Sequence, residues 1–104
     1  MKLSAAKLKR LIDDAIVDAY GESEQRVAFY TIIEENLACP FVTRFLGVDV
    51  TVERIELTES EEIVAICRRG RTRQAISILQ LPLPKRAPSG AEWIEAYRRW
   101  AQGG

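Results

Sequence analysis

The stretch "LACPFVTRFLGVDVTVERIEL", residues 37–57, is where the chain changes its repeat. Up to Leu37 apolar residues recur at helical spacing. After Pro40 the period falls to two: "FVTRFL" and "VDVTVERIEL" alternate apolar with polar side chains and are rich in β-branched residues, the signature of half-buried strands. Pro40 cannot continue a helix, and it pushes Cys39 before it out of the helical region. The fold reads outward from that break.

Towards the N-terminus, Leu8, Leu11, Ile12, Ala15, Ile16 and Ala19 mark one helix, with Ser4 as its N-cap and Gly21 as a stop after Tyr20. A second helix, Glu22 to Leu37, carries Val27, Phe29, Tyr30, Ile33 and Leu37 on its apolar stripe. Together they predict a helical hairpin over 4–37. Towards the C-terminus, "EEIVAICRR" and "RQAISILQL" repeat the period-two pattern, with tight connections at Gly47, at "TESEE" and at "RGRT". Residues 41–81 therefore predict four or five short strands, in a small twisted antiparallel sheet or an SH3-like barrel. A proline-rich linker over 82–90 precedes a short helix over 91–102, whose Trp93, Tyr97 and Trp100 form an aromatic stripe suited to packing. The order reads α+β, in a single domain over 1–104.

The chain has 47% hydrophobic and 29% charged residues, with 15 basic against 15 acidic side chains and no histidine. The missing histidine removes the commonest general base and the usual zinc ligand. No nucleophile–base set or glycine-rich phosphate loop is present. The adjacent pairs Asp13/Asp14 and Glu34/Glu35 point ~100° apart on a helix, so they do not face one another. Catalysis is not expected. Two cysteines, Cys39 and Cys67, are too few for a zinc site, and their apolar settings suit reduced thiols. No apolar run approaches the ~18 residues of a membrane span, and no signal-peptide core follows the lysine-rich N-terminus. A cytoplasmic protein without membrane partners is expected.

The charge is sorted along the chain, and two chemistries follow from it. "DAYGESE" offers Asp18, Glu22 and Glu24 around a glycine bend, and "TESEE" offers Glu59, Glu61 and Glu62. Calcium takes six to eight oxygens from carboxylates, carbonyls and water, so each turn is a candidate cation site, the first the better one. Glu22 and Glu24 also sit where acids favour a helix N-terminus without any metal. There is no D-x-[DN]-x-[DN]-G loop, which excludes an EF-hand. The alternative site is "RRGRTR", whose Arg68, Arg69, Arg71 and Arg73 could grip phosphates. No aromatic residues interleave with them, so nucleic acid is the weaker reading. A protein partner for Trp93, Tyr97 and Trp100 is the other form of that alternative, a small interaction module.

"IVDAYGESEQ" at 16–25, "VAFYTIIEENLACPFV" at 27–42 and "RQAISILQL" at 73–81 together resemble the small cyanobacterial calcium-binding protein family (CcbP-like). The likeness spans roughly residues 12–81, specific at "VDAYGESEQ" and "ENLACPF" and loose in the strands. It implies a helical hairpin beside a small barrel-like sheet, and Ca2+ held by surface acids and loop carbonyls, for buffering or signalling. The resemblance carries over fairly to Asp18, Glu22 and Glu24, and only weakly to Asp49 and the "TESEE" acids.

Overall fold

The computed structural model describes residues 2–103. Its elements are α1 (Ala5–Ala15), α2 (Glu22–Asn36), β1 (Phe41–Phe45), β2 (Val48–Leu57), β3 (Ile63–Arg69), β4 (Thr72–Ser77) and α3 (Ala91–Ala101). This is the expected α+β order, with four strands in an open antiparallel sheet of order β1-β2-β3-β4. β1 and β4 remain its edges, so the sheet is a meander and not a closed barrel. α2 packs on β2, while α3 touches both α1 and α2. The helices do the covering that barrel closure would otherwise do.

Phe29 and Ile33 of α2, Val52 of β2, Ile63 and Cys67 of β3, and Ile94 of α3 are almost fully buried and meet in one core cluster. Each such side chain contributes roughly 1.5–3 kcal/mol by leaving water. The alternation in β2 breaks once. Val50 and Val52 face inward, but the next inward residue is Ile55, an odd step. A register shift between Val52 and Arg54 leaves Glu53 opposite no partner, a bulge that moves Ile55 onto the core face.

Two boundaries differ from the sequence expectation. α1 stops at Ala15, with Ile16 at φ −109° and ψ 16°, and residues 16–18 turn instead of continuing to Tyr20. Continuing would add β-branched Val17, a weaker helix former, to the helix; it is 70% exposed where it is. Strand β4 ends at Ser77, not at Leu81, because the Ser77 carbonyl accepts the amides of Gln80 and Leu81 and closes a turn. Arg98 fixes that turn from α3, donating to the carbonyls of Ile78 (3.1 Å) and Leu81 and pairing with Glu95 at 3.0 Å. Leu81, just before the linker, is wholly buried. Both cysteines are free; Cys67 is buried and Cys39 is exposed.

Candidate functional site

Ser4 caps α1 as expected, its hydroxyl accepting from the Lys7 amide at 3.1 Å. Gly21, however, is the cap of α2 and not the end of α1. Its φ of 87° lies where a Cβ is disfavoured, and no side chain caps the helix there. Glu24 instead ties back the chain that precedes the helix, its Oε2 accepting the Tyr20 amide at 3.1 Å. That bond gives Glu24 a structural task.

The bend does not gather Asp18, Glu22 and Glu24 in one place. Residues two apart on a helix lie about 200° around it, so Glu22 and Glu24 diverge. Asp18 and Glu24 share a shallow depression of about 490 Å³ with Val17 and Val27. Glu22 faces a different and larger cleft of about 930 Å³, whose lining includes Ser60, Glu61 and Glu62 from the β2–β3 turn and Tyr97 and Trp100 from α3. The two acidic turns, far apart in sequence, therefore meet across one cleft. Ser23 on α2 donates its hydroxyl to Glu61 Oε2, which joins them. Glu59 is exposed on the same turn.

The β2–β3 turn is closed by its own bonds. The Glu61 amide donates to Thr58 O (2.9 Å), the Thr58 amide to Glu62 O (2.9 Å), and the Glu62 amide to Thr58 Oγ1 (3.0 Å). Glu61 sits at φ 64°, the left-handed region, at a position where hairpin loops of this kind prefer glycine. A glutamate there costs about 1–2 kcal/mol of backbone strain, and its carboxylate accepts the Ser23 hydroxyl at the edge of the cleft.

Opposite, Arg26 Nη2 holds Glu22 Oε1 at 2.6 Å. Its guanidinium carbon stands 5.8 Å from the Trp100 ring centroid. Trp100 donates its indole N–H to Gln25 Oε1 at 3.0 Å and stacks on Tyr97 at 5.7 Å. Burial pushes the Tyr97 phenol above its ordinary pKa, with the positive charge of Arg26 pulling the other way. The aromatic stripe of α3 is thus mostly spent on packing, Tyr97 meeting Phe29 at 5.4 Å.

The arginine hairpin is also partly committed. Arg68 and Arg73 bind the two oxygens of Glu53 at 2.9 and 2.7 Å, which leaves Arg69 and Arg71 exposed near the tip. Hydrogen bonds from Arg73 and then Arg68 hold the Glu53 carboxyl below its ordinary range. The sequence alone does not single out Arg26 or Glu53. The i,i+4 spacing of Glu22 and Arg26 was the available signal for the first.

Among the described residues, no three His, Cys, Asp or Glu side chains stand close enough to form a ready-made metal-holding group. The donor chemistry of the larger cleft nevertheless fits a hard cation. Glu22, Glu61 and Glu62 bring carboxylates and Ser60 a hydroxyl, with no sulfur or imidazole among the lining residues. These side chains would have to draw together to share one ion.

A helical pair, a four-stranded meander and a closing helix around a carboxylate-lined cleft define a small α+β protein. A family model described as "Calcium binding" matches residues 9–101, and the chain belongs to that family, the CcbP calcium-binding proteins. Membership supports calcium as its ligand. The crystal structure of Anabaena CcbP is similar in fold, with a TM-score of 0.76 over 96% of this chain and 93% of that one at 15% identity. No curated protein matches the chain. Among the described residues, no helix is long and apolar enough to cross a membrane.

Proposed function

We propose that the protein binds Ca2+ weakly and without catalysis in the cleft between the α1–α2 bend and the β2–β3 turn. Glu22, Glu61 and Glu62 supply the carboxylates, and Ser60 and water complete the shell. Asp18 and Glu24, in the neighbouring depression, form a poorer second locus, and Glu59 adds negative field. The observation that carries this reading is the meeting of Glu22 with Glu61 and Glu62 across one cleft, with Glu61 held there in a strained left-handed conformation.

The connection from Ile16 to Gly21 is half the ~12-residue length of an EF-hand loop, which supports a site of another kind. Carboxylates that must converge from open positions favour the micromolar to millimolar range. Because the cleft joins a helix start to a hairpin turn, occupancy would lock two elements together, which supports sensing as well as buffering in the cytoplasm. The test is calcium titration of the full chain followed by amide shifts, repeated with Glu22→Gln and Glu62→Gln. Residues 21–26 and 60–62 should move together, and each substitution should weaken the response at least several-fold. A response confined to residues 68–73, or none, would remove the reading.

A further inference from the structure

Arg26 is a cation already built into the cleft. Its side chain is 25% exposed, whereas that of its partner Glu22 is 75% exposed. The guanidinium lies against Trp100, which itself rests on Phe29 at 5.5 Å between ring centroids, and Phe29 is wholly buried. The cation is therefore anchored on the core side, and the carboxylate is free on the solvent side.

Resting on the calcium reading above, we infer that Arg26 is the resident counter-cation of the cleft and sets its affinity: calcium binds by drawing Glu22 off Arg26. The mobile partner in the exchange is the glutamate. It stands on the first turn of α2, with most of its side chain in water, so its rotation exposes nothing buried. Arginine cannot follow, because its planar group is desolvated against an indole ring that Gln25 holds in place. Its fixed positive charge opposes any incoming cation.

Two consequences follow. A monovalent ion offers Glu22 no more charge than the guanidinium it would replace, so the exchange favours divalent ions. Once released, the guanidinium keeps the Trp100 face and the Tyr97 hydroxyl as partners, so occupancy of the cleft reaches α3. Arg26 thereby acts as a positioning residue for Glu22 in the calcium-free protein and as a brake on binding.

The test uses the full chain, with Arg26→Gln and Arg26→Lys, titrated with CaCl2 and with NaCl at matched ionic strength. The readouts are the Arg26 Nε–H and Trp100 indole N–H resonances beside the backbone amides of residues 21–26 and 60–62. In the wild type the two side-chain resonances should shift with the amides at one midpoint, and NaCl should not move them. Arg26→Gln should bind calcium about three- to tenfold more tightly, the effect of removing one nearby partly screened charge, and Arg26→Lys should stay near the wild type. If the cleft amides shift but Arg26→Gln titrates at the wild-type midpoint, the arginine brake is overturned and the calcium reading stands. If neither protein shifts at the cleft, both fall. Binding by Arg26→Gln where the wild type shows none would uphold the brake. Should Arg26→Gln not fold, an Arg26 Nε–H signal unmoved at saturating calcium in the wild type overturns the inference by itself.

Discussion

Replacing Glu61 by glycine separates the two jobs of that residue. Its backbone sits at φ 64°, where an L-residue costs about 1–2 kcal/mol and glycine costs nothing in the folded state. Glycine brings back an unfolded-chain entropy of about 0.5–1 kcal/mol. The exposed hydrogen bond from Ser23 is also lost, at about 0.5 kcal/mol, the low end for such a bond. The net effect lies between a loss of roughly 0.5 and a gain of roughly 1 kcal/mol of stability, at most a few degrees in Tm for a domain of this size. The turn keeps its amide bonds to Thr58, which need no Glu61 side chain. Calcium affinity, by contrast, should fall at least about tenfold, since one of three carboxylates is gone; that is about 1.4 kcal/mol of binding. Urea unfolding and a calcium titration on the same sample measure both. Loss of more than about 1.5 kcal/mol of stability would show that Glu61 holds the turn structurally. An unchanged calcium midpoint would show that its strain serves something other than the cleft.

Gly90→Ala should destabilise by about 3 kcal/mol or more in denaturant unfolding, because the new Cβ would meet Asn36 O at 2.1 Å at a backbone φ of +89°; a loss under about 1 kcal/mol would refute the close approach of α3's start to the end of α2. Glu53 has a folded pKa below its unfolded value of about 4.3, so its pairing with Arg73 and Arg68 stabilises above that pH and is lost as pH falls through the folded value. Glu53→Gln should therefore be less stable than the wild type at pH 7 and equal to it under strongly acidic conditions. A gap that persists at low pH would deny the charge contribution. Under native conditions a maleimide should modify Cys39 and spare Cys67 until the protein unfolds. Reaction at Cys39 should itself be slow at neutral pH, since desolvation raises its thiol pKa.

The break at Pro40 was legible because proline acts locally and the change of period on either side of it is a property of neighbours. The ends of α1 and β4 were not, because both depend on distant partners. Ala19 and Ile16 continue the helical spacing, but spacing does not reveal that the turn leaves Val17 in water. "ISILQL" continues the strand pattern, but Arg98 on α3 claims the carbonyls of Ile78 and Leu81. The bulge in β2 left a trace that period-two reading passes over. In "VTVERI" the apolar positions step by two and then by three, and that odd step is the bulge.

The candidate site was legible as composition and not as partnership. Both acidic turns stand out in the sequence, and each was read as a separate locus because carboxylates close in sequence suggest carboxylates close in space. On a helix that inference fails at a separation of two. The ~200° between Glu22 and Glu24 sends one to the large cleft and the other back to the Tyr20 amide. What Glu22 gains instead is Glu61, reached across a separation of 38 residues by the contact from the next residue, Ser23. No local pattern carries a pairing of that span; it requires the meander to bring the β2–β3 turn beside the start of α2. The same packing sets Trp100, from the far end of the chain, under Arg26. A cation site drawn together from two turns and restrained by a third element would differ from one held in a single loop, because occupancy would then act on how those elements sit together. For that reason the response of Trp100 to calcium says more about this protein than the affinity alone.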